Sequence, residues 1–243
     1  MWEVAYISDK GTVQETNDDR ILVNKNIISS GKHNDVFEDS YIVVLCDGVG
    51  GEKYGNEAAE IVVHEFAKIH ADQLNAKNIH HYVEQVNEKV TSAQRIDPEH
   101  AQMATTIAGV SINGYDFLVF NVGDTRVYRY RNPYISQLST DHSLAHENNI
   151  IGVETKTDLK HVITHYIGGD RASAAVVDGT DSIGSDDMFL LCSDGVWEAV
   201  TDIELESILS KKISVNDMCQ RIFDLAVENG SEDNISLVVM RRV

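Results

Sequence analysis

The sequence predicts an α+β fold in which antiparallel sheets pack face to face with helices outside. Two observations predict it. Strands come in blocks of neighbours and helices come in pairs between those blocks, where a doubly wound sheet would alternate one strand with one helix. And 243 residues at 42% hydrophobic content, with two prolines and no Pro/Gly/Ser-rich linker, suffice for one sizeable core. Residues 1–243 are therefore expected to form a single domain.

The elements follow from hydrophobic periodicity. Oily runs predict strands at 3–8, 20–24 and 41–46, with the polar segment 26–39 between the last two read as a loop. Ala58, Ile61, Val62, Phe66 and Ile69 recur at helical spacing from Gly55 to about His70. Ile79, Val83, Val86 and Val90 give a second helix over 78–94. Strands follow at about 104–112, 115–121, 126–130 and 135–138. The stretch "INGYD" (112–116) puts Asn-Gly between two oily runs, a hairpin signal. Further strands are expected near 161–164, 173–178 and 187–192. Two late helices span about 201–210 and 214–228, the first capped by Thr201 or Asp202. A last strand covers 234–240.

Twenty basic and 39 acidic residues give a net charge of −19. That disfavours nucleic acid and anionic membranes as partners, because Lys and Arg supply the affinity for both. It suits cations and basic protein surfaces, or plain solubility. No apolar run approaches the roughly 20 residues of a membrane helix, and the N-terminus lacks the pattern of a secretory signal. Cys46, Cys192 and Cys219 are an odd count, two of them inside oily strands, where reduced cysteine packs as a small hydrophobe. A reducing, cytoplasmic setting is expected.

Six acids fall where oily strands end or chains turn: Asp18, Asp19, Asp47, Asp124, Asp194 and Asp233. One Asp-Gly, as in "CDGVGG" or "CSDGVW", is what any turn prefers. So many at strand ends suggest carboxylates gathered in one place. Gathered carboxylates repel and take protons back, unless a divalent cation removes the cost. Carboxylates, a backbone carbonyl beside glycine and water are hard ligands, suited to Mg²⁺ or Mn²⁺ rather than zinc.

The stretches "SDKGTVQETNDD", "VVLCDGVGG", "MATTIAGV", "FNVGDTRVYRY", "LSTDHSL", "LLCSDGV" and "GSEDNIS" come in the order seen in the metal-dependent serine/threonine protein phosphatases of type 2C. The chain resembles that family, most of all its short bacterial members, from residue 4 to residue 240. The resemblance implies a central antiparallel β-sandwich flanked by pairs of helices, four layers in the order α-β-β-α, with two metal ions at one end. It implies that Asp47 bridges both ions and that the Gly48 carbonyl ligates one. Asp194 and Asp233 would bind the other. Asp18, where the family usually has Glu, would hold the second ion. Asp19 would support the waters on the ions, Asp124 with Asp194 would take a third, weaker ion, and Asn234 would hold these groups from outside. The implied chemistry is attack of a bridging hydroxide on a phosphoserine or phosphothreonine, clamped by the two ions. The implied partners are phosphoproteins, a kinase and its targets.

The chain departs from the pattern in places. Gln14 stands four residues before Asp18, where the family has an Arg that grips the substrate phosphate, and one neutral amide replaces a charged fork. Lys10, Lys53 or Arg20 could substitute. Val49 follows Asp47-Gly48 where eukaryotic relatives carry a His that could act as general acid. Ala104-Thr105-Thr106 replaces Gly-Thr-Thr, Thr164-His165-Tyr166-Ile167-Gly168 loses another Arg, and the segment 143–163 is short. These losses keep an alternative open: a metal-binding pseudophosphatase that holds phosphoproteins without efficient turnover. A nuclease reading is disfavoured by the charge.

Other features read blandly. His142 and His146, like His161 and His165, are four apart, but "HSLAH" lacks the Glu of His-Glu-x-x-His and no helix is evident there. His142 is expected to order the loop after Thr140-Asp141. In "GVGGEKYG", Lys53 stands where a dinucleotide loop needs its third glycine. Trp2 and Trp197 read as core or rim, and Cys46 and Cys192 as inert buried thiols.

Overall fold

The computed structural model describes residues 1–49, 54–156, 159, 161–170, 172–178 and 182–243. Its strands are β1 (Trp2–Asp9), β2 (Arg20–Val23), β3 (Asn26–Ile28), β4 (Gly31–Phe37), β5 (Ser40–Cys46), β6 (Ile107–Asn113), β7 (Asp116–Val122), β8 (Arg126–Arg131), β9 (Tyr134–Gln137), β10 (Ala175–Asp178), β11 (Met188–Cys192) and β12 (Ile235–Arg242). Its helices are α1 (Gly55–Phe66), α2 (Ile79–Ile96), α3 (Leu144–Ile150), α4 (Asp194–Trp197), α5 (Asp202–Leu209) and α6 (Val215–Glu228). Two six-stranded sheets form, ordered β4-β1-β12-β11-β8-β9 and β10-β7-β6-β5-β2-β3, with antiparallel pairing between the described neighbours. The fold is the predicted α+β sandwich.

The layers follow from two-residue alternation in strands buried on both faces. In β5, Tyr41, Val43 and Leu45 point between the sheets, to Trp2, Phe117, Phe189 and Val238. Ile42, Val44 and Cys46 point the other way, under α1 and α2. In β12, Val238 and Met240 face the sandwich, while Leu237 and Val239 face α5 and α6. Each fully buried large side chain is worth about 1.5–3 kcal/mol. Phe66 at the end of α1 stacks on Phe120 of β7, ring centroids 5.3 Å apart, and ties helix layer to sheet. Thr201 caps α5 in a reciprocal pair with Glu204. The hairpin from β6 to β7 turns at Gly114, whose φ of 66° suits glycine.

Four expectations need correction. The segment 26–39 is no loop: it holds β3 and β4. Strand β4, "GKHNDVF", is an exposed edge held to β1 by main-chain pairing, so it needs no oily pattern. The strand expected at 161–164 is reduced to an isolated bridge between Ile163 and Ser143. A helix does form after His142: α3, with Ser143 Oγ accepting from the His146 N–H at 3.3 Å. The first helix stops at Phe66, four residues early.

The register gathers strand ends at one rim. Cys192, last in β11, pairs with Leu237 of β12 and Arg126 of β8. Cys46, last in β5, pairs with Arg20, first in β2. Asp194, Asp233 and Asp124 therefore leave the first sheet, and Asp47, Asp18 and Asp19 leave the second, at the same end of the sandwich.

Candidate metal centre

Each acid is held by a local device. The Asp47 carbonyl accepts from the Thr106 N–H and the Thr105 hydroxyl, both at 2.8 Å, which fixes the end of β5. Gly48 lies flush against neighbours: a Cβ there would sit 2.6 Å from the Gly55 carbonyl carbon and 2.9 Å from Asp18 Cβ. Only glycine lets Asp18, the Gly48 backbone and the start of α1 meet. Asp194 is not simply at a strand end. It is the first residue of the short helix α4, where amide dipoles favour a negative charge. A Cβ on Gly195 would lie 2.1 Å from the Asn234 carbonyl oxygen, so this glycine brings α4 onto the entry to β12. There Asp233 Oδ1 accepts from the Asn234 N–H at 2.7 Å.

Asn234 is the clamp of the rim. Its Oδ1 accepts from the Asp18 N–H at 2.7 Å, and its Nδ2 donates to the carbonyls of Thr16 at 2.9 Å and Lys10 at 3.1 Å. One buried amide thus sets the course of the loop that carries Asp18 and Asp19.

The electrostatics mark five of the acids as one group. Asp47 and Asp194 keep some open surface yet are ringed by protein. Burial pushes the Asp47 carboxyl well up, and the charges of Asp194, Asp19, Asp124 and Asp233 push it further. Burial raises Asp194 likewise, reinforced by Asp124, Asp233, Asp19 and Glu198. Burial brings Asp124 to about 7, with Asp141 adding to it. Asp19 is fully buried and is pushed up to about 7, by burial first and by Asp233 next. Both its carboxylate oxygens lack a hydrogen-bond partner. The nearby Ser193 and Ser236 hydroxyls temper the shift but donate elsewhere, Ser193 to the carbonyls of Asn234 and Ser236, and Ser236 to Ser8 Oγ.

This donor set suits a hard divalent cation: oxygen ligands, excess negative charge and two orphaned buried oxygens. Among the described residues, no three His, Cys, Asp or Glu side chains are disposed to hold an ion as they stand. The acids are repelling neighbours, not a closed cage.

Gln14 is exposed, and its Nε2 donates to the Glu232 carbonyl at 3.2 Å. It borders a cavity of about 460 Å³ shared with Gly195, Glu198, Ser231 and Asp233. Of its suggested substitutes, Arg20 is committed to Glu60 at 2.6 Å and to the Asp19 carbonyl at 2.8 Å. Lys10 is exposed beside the Asn234 clamp. Lys53, with the glycines at 50 and 51, lies outside the described residues.

His142 orders the turn before Asp124, its Nδ1 accepting from the Gly123 N–H at 3.1 Å. Burial lowers its pKa to about 4, and the nearby His165 ring, 4.6 Å away, adds to this. Trp2 is core, and Trp197 is half-buried beneath the Arg126 guanidinium at 3.8 Å. The three cysteines are buried free thiols, each pushed up by burial. Sequence reasoning passed over Arg126, Asp141 and Glu198. Arg126 forms a forked pair with Asp141, with Nη2–Oδ2 at 2.7 Å. An Arg two residues after Asp124 was visible, but its partner fifteen residues away was not.

A family model described as protein phosphatase 2C matches residues 16–236. The serine/threonine phosphatase stp of Listeria welshimeri is 28% identical, across 97% of this chain and 94% of its own. Protein phosphatase PhpP of Streptococcus pneumoniae is 27% identical, across 98% and 96%. The serine/threonine phosphatase structure from S. agalactiae superposes with a TM-score of 0.86 over 100% of both chains at 24% identity. The catalytic domain of PstP, solved in complex with 2 manganese ions, superposes with a TM-score of 0.80 over 99% of both chains at 22% identity. Identities this low make both structures witnesses to the fold.

Proposed function

The chain belongs to the protein phosphatase 2C family, and from that premise we propose that it hydrolyses phosphoserine and phosphothreonine in proteins with Mn²⁺ or Mg²⁺. The observation that carries the reading is the rim of mutually repelling acids around Asp19's unpartnered oxygens. Their cost to folding is relieved by cations.

Two ions, when bound, supply Lewis acidity and an activated water. Asp47, the Gly48 carbonyl, Asp18, Asp194 and Asp233 are the groups that would hold them, with Asp124 and Asp194 available to a third. Asp19, whose two oxygens have no protein donor, would accept hydrogen bonds from the waters on the ions. Asn234 keeps Asp18 aimed through its 2.7 Å bond. Gln14 offers an amide to the substrate's phosphate. We place residues 1–243 in one catalytic domain, acting in the cytoplasm on phosphoproteins, a kinase and its targets. No described helix is long and apolar enough to cross a membrane.

One observation favours a second reading, a metal-binding pseudophosphatase. Gln14, standing where relatives grip phosphate with Arg, spends an N–H on Glu232. Hydrolysis of a phosphothreonine peptide across a Mn²⁺ titration decides between them. Turnover that Asp194→Asn abolishes supports the enzyme. Gln14→Arg should then lower KM by about tenfold, the value of one charged hydrogen bond. Turnover in Gln14→Arg alone supports the pseudophosphatase, and none in any variant refutes the enzyme.

A further inference from the structure

We propose that His161, oriented by Glu198, gives the proton that the departing serine or threonine oxygen takes up. This deepens the phosphatase reading and rests on it. Breaking the ester bond leaves a strongly basic alkoxide. In-line attack from the side of the carboxylates sends that oxygen away from them, toward the outer rim. Val49, beside Asp47-Gly48, has no proton to give.

His161 is placed for this task. Its Nδ1 lies 2.7 Å from Glu198 Oε1, and its side chain is 67% exposed, open to a bound peptide. Glu198 ends the turn that Asp194 begins: its N–H donates to the Asp194 carbonyl at 3.0 Å. The ring is thus one side chain removed from the acid rim. Glu198 also lines two neighbouring cavities. One is the 460 Å³ space beside Gln14 and Asp233. The other, of about 680 Å³, is lined by Arg126, Asp141, His146 and Trp197 as well as His161. Glu198 stands at the wall between them, with His161 on the side of the larger.

The pairing fixes the chemistry. Glu198 accepts a hydrogen bond from Nδ1–H and holds the ring in that orientation, so the proton on Nε2 is the one to deliver. The charged groups facing this space are Glu198 just after α4, Arg126 from β8, Asp141 from the loop after β9 and His146 from α3. Arg126 is committed to Asp141, leaving Glu198 as the partner of His161. In the step, the water oxygen bonds to phosphorus as the phosphorus–ester oxygen bond breaks. The ester oxygen takes the Nε2 proton and leaves as the alcohol. The attacking water gives its proton to solvent, and solvent reprotonates the imidazole.

The test uses the Mn²⁺-loaded full chain, with a phosphothreonine peptide and p-nitrophenyl phosphate, whose nitrophenolate departs without a proton. His161→Gln should lower kcat on the peptide about 100-fold with a far smaller loss on the aryl ester. It should also erase the alkaline fall of the wild-type peptide kcat profile, and Glu198→Gln should lower peptide kcat with the same sparing of the aryl ester. Equal losses on both substrates, no loss on either, or a change in KM alone would overturn the proposal. A wild type that turns over neither substrate would instead refute the phosphatase reading beneath it.

Discussion

Replacing Asn234 with alanine removes three hydrogen bonds at once: from the Asp18 N–H, and to the Thr16 and Lys10 carbonyls. The side chain is 6% exposed, so water replaces them poorly. At about 1 kcal/mol each, the loss is about 3 kcal/mol. In a chain of this size that lowers Tm by about 6–12 °C. The loop that carries Asp18 also loses its anchor, so the Mn²⁺ needed for half-maximal activity should rise about tenfold, as when groups orienting metal ligands are removed. Asn234→Asp separates the two effects. It keeps an acceptor for Asp18 but turns an oxygen toward two carbonyls. It should destabilise the ion-free protein at least as much as alanine, yet disturb the Mn²⁺ requirement less. Thermal melts with and without Mn²⁺, beside an activity titration, read both. An alanine variant melting within about 2 °C of wild type, with an unchanged Mn²⁺ requirement, would refute the clamp.

Three further outcomes are expected. His142 is neutral in the fold, its pKa lowered from 6.5 to about 4. Its contribution to stability is therefore full above pH 6.5 and lost as pH falls toward 4. Urea midpoints should fall across that window, and less steeply in His142→Gln. Asp19 and Asp124 titrate the opposite way, raised to about 7 without ions. Their protonated forms favour the ion-free fold, an advantage present below pH 4 and lost as pH rises through 7. The gain in Tm on adding Mn²⁺ should therefore be larger at pH 8 than at pH 6, because protons compete with the ion. Finally, Gly195→Ala sets a Cβ 2.1 Å from the Asn234 carbonyl oxygen. It should destabilise by about 1–3 kcal/mol and weaken Mn²⁺ binding by parting Asp194 from Asp233, read by urea denaturation and calorimetry.

The sandwich was legible because its central strands are buried on both faces, so β5, β11 and β12 read as unbroken oily runs. The acids at their ends were legible for the same reason, each interrupting such a run. The polar strand β4 was not, because an edge strand is held by main-chain pairing and carries no pattern. Helix α3 was hidden by its short length and mixed face. The role of Asn234 was visible only as a neighbour of Asp233, since its three partners lie more than 200 residues away in sequence. The pairings Arg126–Asp141 and His161–Glu198 join segments whose approach depends on the whole fold.

Calorimetric titration of the ion-free protein with Mn²⁺ tests the central claim most directly: that the rim of acids exists to hold cations. The account predicts saturable binding of two ions near pH 8, with a third weaker event, reduced by Asp47→Asn to weak or single-ion binding. Absence of saturable binding, or binding that Asp47→Asn leaves unchanged, would contradict it.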